Sequence, residues 1–147
     1  MADTPHSHSL RLGRYTQARQ IYLLTTVTAH RQPVFANFLA ARSLIHCLRQ
    51  AAQLQHADTL AFVVMPDHLH WLMQLGEGMD LSSCMGGVKS ISARQLGMPL
   101  WQKGFHDHAV RQEEDLPALA RYVVANPVRA GLVRRVGEYP HWDAIWL

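Results

Sequence analysis

Two apolar runs, TLAFVVM (residues 59–65) and HLHWLMQL (68–75), are separated only by Pro66 and Asp67, and this constrains the chain more than any other feature. Proline presets φ for the first central position of a turn and aspartate suits the second, so the runs read as the two strands of a tight hairpin. Gly76 and Gly78 end the second strand. An antiparallel sheet is therefore the starting point, and the flanking segments have to cover it.

Upstream, IYLLTTVTAH (21–30) mixes β-branched and apolar residues and reads as a strand, with Pro33 closing it. Between residues 39 and 54, Leu44, Ile45, Leu48, Ala51 and Ala52 recur at three- and four-residue steps. That period predicts an amphipathic helix with Arg42, Arg49, Gln50 and Gln53 on its polar face and Asn37 as N-cap. After the hairpin, Asp80 is placed to cap a helix that turns Leu81, Met85, Val88 and Ile91 inward and stops at Gly97 and Pro99. Gly86-Gly87 weakens this helix by about 1 kcal/mol per glycine relative to alanine, which predicts that something approaches closely there. WQKGFHDHAVR (101–111) holds a short extended piece. Asp115 caps a last helix from 116 to about 125, with Pro127 expected to push Asn126 out of helical geometry. The Trp-rich end, AGLVRRVGEYPHWDAIWL, is expected to pack back onto the body.

Strand, helix, hairpin, helix, strand, helix is the order of an α+β fold: an antiparallel sheet with helices packed on one face, the split βαβ plan of ferredoxin-like and RRM-like domains. One domain is expected over residues 15–147, after a polar, mobile tail over 1–14 that contains His6 and His8.

Composition removes several function classes. Cys47 and Cys84 are the only cysteines and show no CxxC spacing, so neither a disulfide framework nor a thiolate zinc site is expected, and a reducing cytosol suits the chain. The start carries no apolar signal-peptide core, and no run approaches the ~18–20 apolar residues of a membrane span. No GxxxxGK[ST] loop is present, so no nucleotide cofactor is expected. The net charge of +3 is compatible with a polyanionic partner and equally with an ordinary basic surface.

Ten histidines in 147 residues is the unusual count. In a strand, residues i and i+2 share a face, so His68 and His70 project together while Leu69 and Trp71 turn into apolar packing. Two such imidazoles can bind one metal ion, or can simply be two half-exposed histidines satisfied by water and backbone. On the last helix Leu116, Leu119, Ala120 and Val123 form the buried stripe, and Tyr122 and Asn126, four apart, share one flank of it. A phenol beside an amide can serve as nucleophile and metal ligand, or can be a boundary tyrosine and a helix-ending asparagine. His106 and His108 share a face if their segment is extended, and are expected to line a groove or brace the sheet rather than to ligate.

MPDHLHWLMQL, then VKSIS, then WQKGFHDHAVR, then RYVVANPVRAGLV stand in an order that resembles the REP-associated tyrosine transposases of the HUH superfamily, from about residue 22 to 133. The resemblance implies that His68 and His70 are the metal pair, that Tyr122 is the nucleophile and that Asn126 is a polar third ligand. Lys89 matches a lysine of the preceding helix. The implied activity is nicking and strand transfer of single-stranded DNA at hairpin-forming repeats, through a 5′-phosphotyrosine intermediate, with Mg²⁺ or Mn²⁺. Two imidazoles and an amide oxygen suit such an ion, which offsets charge on the scissile phosphate. The phosphotyrosine bond conserves the energy of the broken linkage, so no ATP is needed. Lys89, Lys103, Arg111, Arg129, His106 and His108 are candidate DNA contacts, and Trp101, Phe105 and Tyr139 candidate stacking surfaces. The expected setting is a bacterial cytoplasm at the nucleoid, as monomer or homodimer. Two other readings are a non-catalytic nucleic-acid-binding module of split βαβ fold and a small metallohydrolase using water in place of Tyr122.

Overall fold

The structure, a computed structural model, describes residues 19–146. The expected tail with His6 and His8, together with Tyr15, lies outside the described residues. The elements are β1 (Ile21–Val27), α1 (Phe38–Gln53), β2 (Ala57–Met65), β3 (His68–Leu75), α2 (Leu81–Leu96), β4 (His106–Ala109), α3 (Leu116–Val124), α4 (Asn126–Arg129) and β5 (Trp142–Ala144). The strands form one antiparallel sheet in the order β4-β1-β3-β2-β5. Strands β1 to β4 with α1 and α2 make the split βαβ unit. The C-terminal segment packs back as expected, adding β5 to the free edge of β2.

The hairpin is as tight as its sequence predicts: Met65 pairs with His68 across Pro66 and Asp67. The backbone N–H of Phe35 donates to Pro66 O at 2.9 Å and that of Thr28 to Asp67 O at 2.9 Å, so the turn is held from outside as well. Asn37 caps α1 by accepting from the Ala40 N–H, and Asp115 caps α3 by accepting from the Ala118 N–H. Asp80 stands at the N-cap of α2, where its carboxylate accepts the Ser83 hydroxyl at 3.1 Å. Gly97 ends α2 in the left-handed region at φ 68°, where a Cβ is unfavourable.

Helices cover both faces of the sheet, where the sequence reading placed them on one. Leu69, Trp71, Met73 and Leu75 of β3 join Tyr22, Leu24, Phe62 and Val64 in the larger core, under α1 and α2. On the opposite face Leu72 packs with Ala61, Ala120 and Val124, and Val63 and Met65 pack with Val123 of α3. The reason lies in β2, whose last five residues are all buried. A continuously apolar strand needs cover on both sides, and each fully buried large side chain is worth about 1.5–3 kcal/mol.

One smaller expectation meets no protein partner and another fails. A Cβ added at Gly86 or Gly87 would meet nothing within 4 Å, so none of the described residues makes the close approach. Asn126 is not expelled from helical structure: the break falls at Ala125, and Asn126 opens α4 with Pro127 in its first turn. Proline is tolerated there because its missing N–H would have no intrahelical partner anyway.

Candidate active site

His68 and His70 project from the α3 side of the sheet. Their Nε2 atoms face each other at 3.2 Å, with the rings edge to face at a centroid distance of 4.7 Å. The outward nitrogens are both occupied: His68 Nδ1 lies 2.7 Å from the Asp67 carboxylate and His70 Nδ1 lies 3.0 Å from the Thr25 hydroxyl. When Nδ1–H donates to Asp67, the Nε2 lone pair of His68 is left aimed at its neighbour, and Thr25 can fix His70 in the same way. Orienting the second nitrogen is how proteins set the tautomer of a ligating imidazole. Their inward nitrogens lie within hydrogen-bonding distance of each other, close enough together to serve one metal ion.

Electrostatics point the same way. Burial, with the charges of His68 and Arg129 adding to it, pushes the His70 imidazole down to about 4. It is therefore neutral near pH 7, the form a metal requires. Burial raises the Asp67 carboxyl, but hydrogen bonds to His68 and Arg31 and the charges of both outweigh it and hold the group below its ordinary value. The Arg31 guanidinium pairs with Asp67 at 2.8 Å. The donor set fits a divalent ion: two convergent imidazole nitrogens with a carboxylate and a hydroxyl behind them. Among the described residues no third His, Cys, Asp or Glu joins the pair.

Tyr122 sits on α3 with more than half of its surface exposed, at 57%. Its neighbour Val123 is buried with Val63 and Met65, and these two are the β2 partners directly opposite His70 and His68. The Tyr122 helix thus rests one strand away from the histidine pair, on the same face. Arg129 of α4 links the two: its guanidinium lies 4.0 Å from the Tyr122 ring centroid, and its charge acts on His70. Asn126 donates from Nδ2 to Val123 O at 3.0 Å, which fixes the amide plane and turns Oδ1 away from that bond.

The other expected contacts divide. Lys89 is committed to the fold: its ammonium donates to Gln102 O at 2.8 Å and Gly104 O at 2.7 Å, and burial lowers its pKa. His108 pairs with Glu114 at 3.0 Å, and Arg111 lies 3.9 Å from Glu113, so carboxylates already face both. Lys103 and His106 are exposed beside a cleft of about 290 Å³. Trp101 packs on Phe35 and donates to Ser92; Tyr139 donates to Val64 O at 2.6 Å. Both rings are built into the fold and are not free stacking surfaces. Phe105 packs against the larger core and also lines that cleft.

The profile of the IS200-like transposase family matches residues 16–126. The chain belongs to the IS200-like transposases. Among relatives, it is 35% identical over 82 residues to the REP-associated tyrosine transposase of Escherichia coli K12, across 54% of this chain and 50% of that protein. It is 31% identical over 100 residues to a Haemophilus influenzae protein assigned to the same group, across 57% of each. The matched region is thus about half the length of these relatives. A REP-associated tyrosine transposase solved with a REP hairpin superimposes with a TM-score of 0.76 at 24% identity, over 97% of this chain and 82% of that one, a likeness of fold. The sequence resemblance to the REP-associated transposases therefore stands. For this IS200-like chain, sequence reasoning singled out the histidines and Tyr122, read Asp67 as a turn residue and gave Thr25 no role, whereas the structure sets both against the histidine pair. Adjacency to the HxH pair was the available signal for Asp67, whereas Thr25 reaches His70 only through strand register.

Proposed function

We propose that this chain nicks and rejoins single-stranded DNA beside hairpin-forming repeats, using Tyr122 as nucleophile and a divalent cation held by His68, His70 and Asn126. The observation that carries the reading is the convergence of the two Nε2 atoms at 3.2 Å on the sheet face that also carries the Tyr122 helix. Mg²⁺ or Mn²⁺, when bound, would supply charge neutralisation at the scissile phosphate.

The chain's own residues account for the rest. Asp67 and Thr25 keep both imidazoles oriented before any ligand arrives, so little reorganisation is left for the reaction. The Tyr122 hydroxyl attacks phosphorus, the 3′-oxygen leaves with the proton, and a 5′-phosphotyrosine forms. A phenol is a weak nucleophile at neutral pH, and Arg129, 4.0 Å from the centre of the Tyr122 ring, places a positive charge beside it. Reversal by the same or another 3′-hydroxyl completes strand transfer without an energy source. A hairpin repeat is the substrate class because the solved relative of this fold holds one, and because a single strand at a hairpin foot can bend to a helix-borne phenol.

The test is incubation of the full chain with labelled hairpin oligonucleotides and Mn²⁺. A denaturation-resistant protein–DNA band is expected. Cleavage that releases a free 5′-phosphate with no such band would instead favour hydrolysis by water.

A further inference from the structure

The histidine pair has different neighbours on its two sides. Across β2 stand Val63 and Met65, which carry α3 and Tyr122. Across β1 stand Thr25 and Val27, directly opposite His70 and His68. Thr25 and Val27 line the cleft of about 290 Å³, whose other walls are Gln102, Lys103, Gly104, Phe105 and His106. His106 is the β4 partner of Thr25, so His106, Thr25 and His70 form one row across the sheet. His106 is thus two strand spacings from His70, about 10 Å.

This cleft is a braced structure. The Gln102 N–H donates to Val27 O at 2.9 Å, Lys89 grips the carbonyls of Gln102 and Gly104, and Gly104 takes the φ of +80° that the bend requires. The wall is built before any ligand arrives.

We infer that this cleft holds the base of the nucleotide on the 5′ side of the cleaved linkage, the one that bears the leaving 3′-oxygen, with His106 as its stacking face. The inference rests on the proposed reaction. In phosphoryl transfer the attacking and leaving oxygens lie roughly in line through phosphorus. Tyr122 approaches from the β2 side, so the leaving oxygen departs toward β1, where the cleft opens. The Tyr122 oxygen–phosphorus bond forms, the phosphorus–O3′ bond breaks, and the phenolic proton ends on O3′. An imidazole ring stacks on any unpaired base, and the Gln102 and Lys103 side chains supply polar edges for one.

The experiment is a coupled comparison of adduct formation, with wild type and His106→Ala each given an intact hairpin oligonucleotide or one with an abasic site immediately 5′ or immediately 3′ of the cleaved bond. Wild type should lose about tenfold in kcat/KM with the 5′ abasic site and much less with the 3′ one. His106→Ala should lose about tenfold on the intact strand, with little further loss at the 5′ abasic site. As a second variant, Lys89→Met should blunt the same discrimination and Lys89→Arg restore it. If the two effects simply multiply, or if the 3′ abasic site is the damaging one, the inference fails while the proposed reaction stands. If wild type forms an adduct with no oligonucleotide, both fail.

Discussion

The guanidinium of Arg129 lies 4.0 Å from the centre of the Tyr122 ring, seven residues away across the break at Ala125. Both side chains are largely exposed, so the contact contributes only about 0.5–1 kcal/mol to stability. Its consequence is positional. Arg129→Gln should lower the rate of adduct formation at least tenfold while changing Tm by no more than about two degrees. Arg129→Lys should restore it only partly, because an ammonium lacks the planar face that stacks on the ring. A full rate in Arg129→Gln would show that the ring is positioned by α3 alone.

Asp67 should act through His68. It holds His68 Nδ1 at 2.7 Å, and losing such an outer partner commonly costs 10–100-fold in metal affinity. Asp67→Asn is expected to raise the Mn²⁺ concentration for half-maximal cleavage into that range, with hairpin affinity nearly constant. His68→Ala and His70→Ala should abolish cleavage outright. An unchanged Mn²⁺ titration in Asp67→Asn would mean that His68 is oriented by other contacts.

Much of this arrangement is legible in the sequence, for identifiable reasons. The hairpin, the caps at Asn37 and Asp115 and the shared face of His68 and His70 follow from local rules of turn chemistry and period. The second helical layer is legible in TLAFVVM, whose apolar run marks a strand buried on both faces, whereas the order of strands and helices alone points to helices on one face. Thr25 was not legible, since only the β1–β3 register brings it to His70, 45 positions away. Nor was the commitment of Lys89 to the 102–104 loop, because a helix lysine looks the same whether it meets a carbonyl or a phosphate.

The titration of His70 carries over to stability. It ionises at about 4 in the fold against 6.5 ordinarily. As pH falls, the unfolded chain takes up this proton first, so the site's contribution is intact above about pH 6.5 and is lost progressively toward pH 4. Without divalent metal, Tm of the wild type should fall between pH 7 and 5 by more than that of His70→Gln. Parallel curves for the two proteins would show that His70 is not responsible.

Asn126 should matter to metal more than to folding, since its one bond to Val123 O closes a helix end that Pro127 already defines. Asn126→Ala is expected to shift the Mn²⁺ requirement upward while thermal stability falls by about 1 kcal/mol or less. If the metal titration is unchanged, the remaining ligands are water or phosphate.

The central claim is that the Tyr122 hydroxyl is the nucleophile, and Tyr122→Phe removes that one oxygen while keeping the ring under Arg129. The measurement is covalent adduct formation on a labelled hairpin oligonucleotide with Mn²⁺, followed by peptide mapping of the trapped wild-type adduct. The account predicts near-total loss in Tyr122→Phe with hairpin binding retained. It also predicts normal adducts from Tyr15→Phe, Tyr22→Phe and Tyr139→Phe, and DNA mapped to the peptide holding Arg121, Tyr122 and Val123. Cleavage by Tyr122→Phe at the wild-type rate would contradict it.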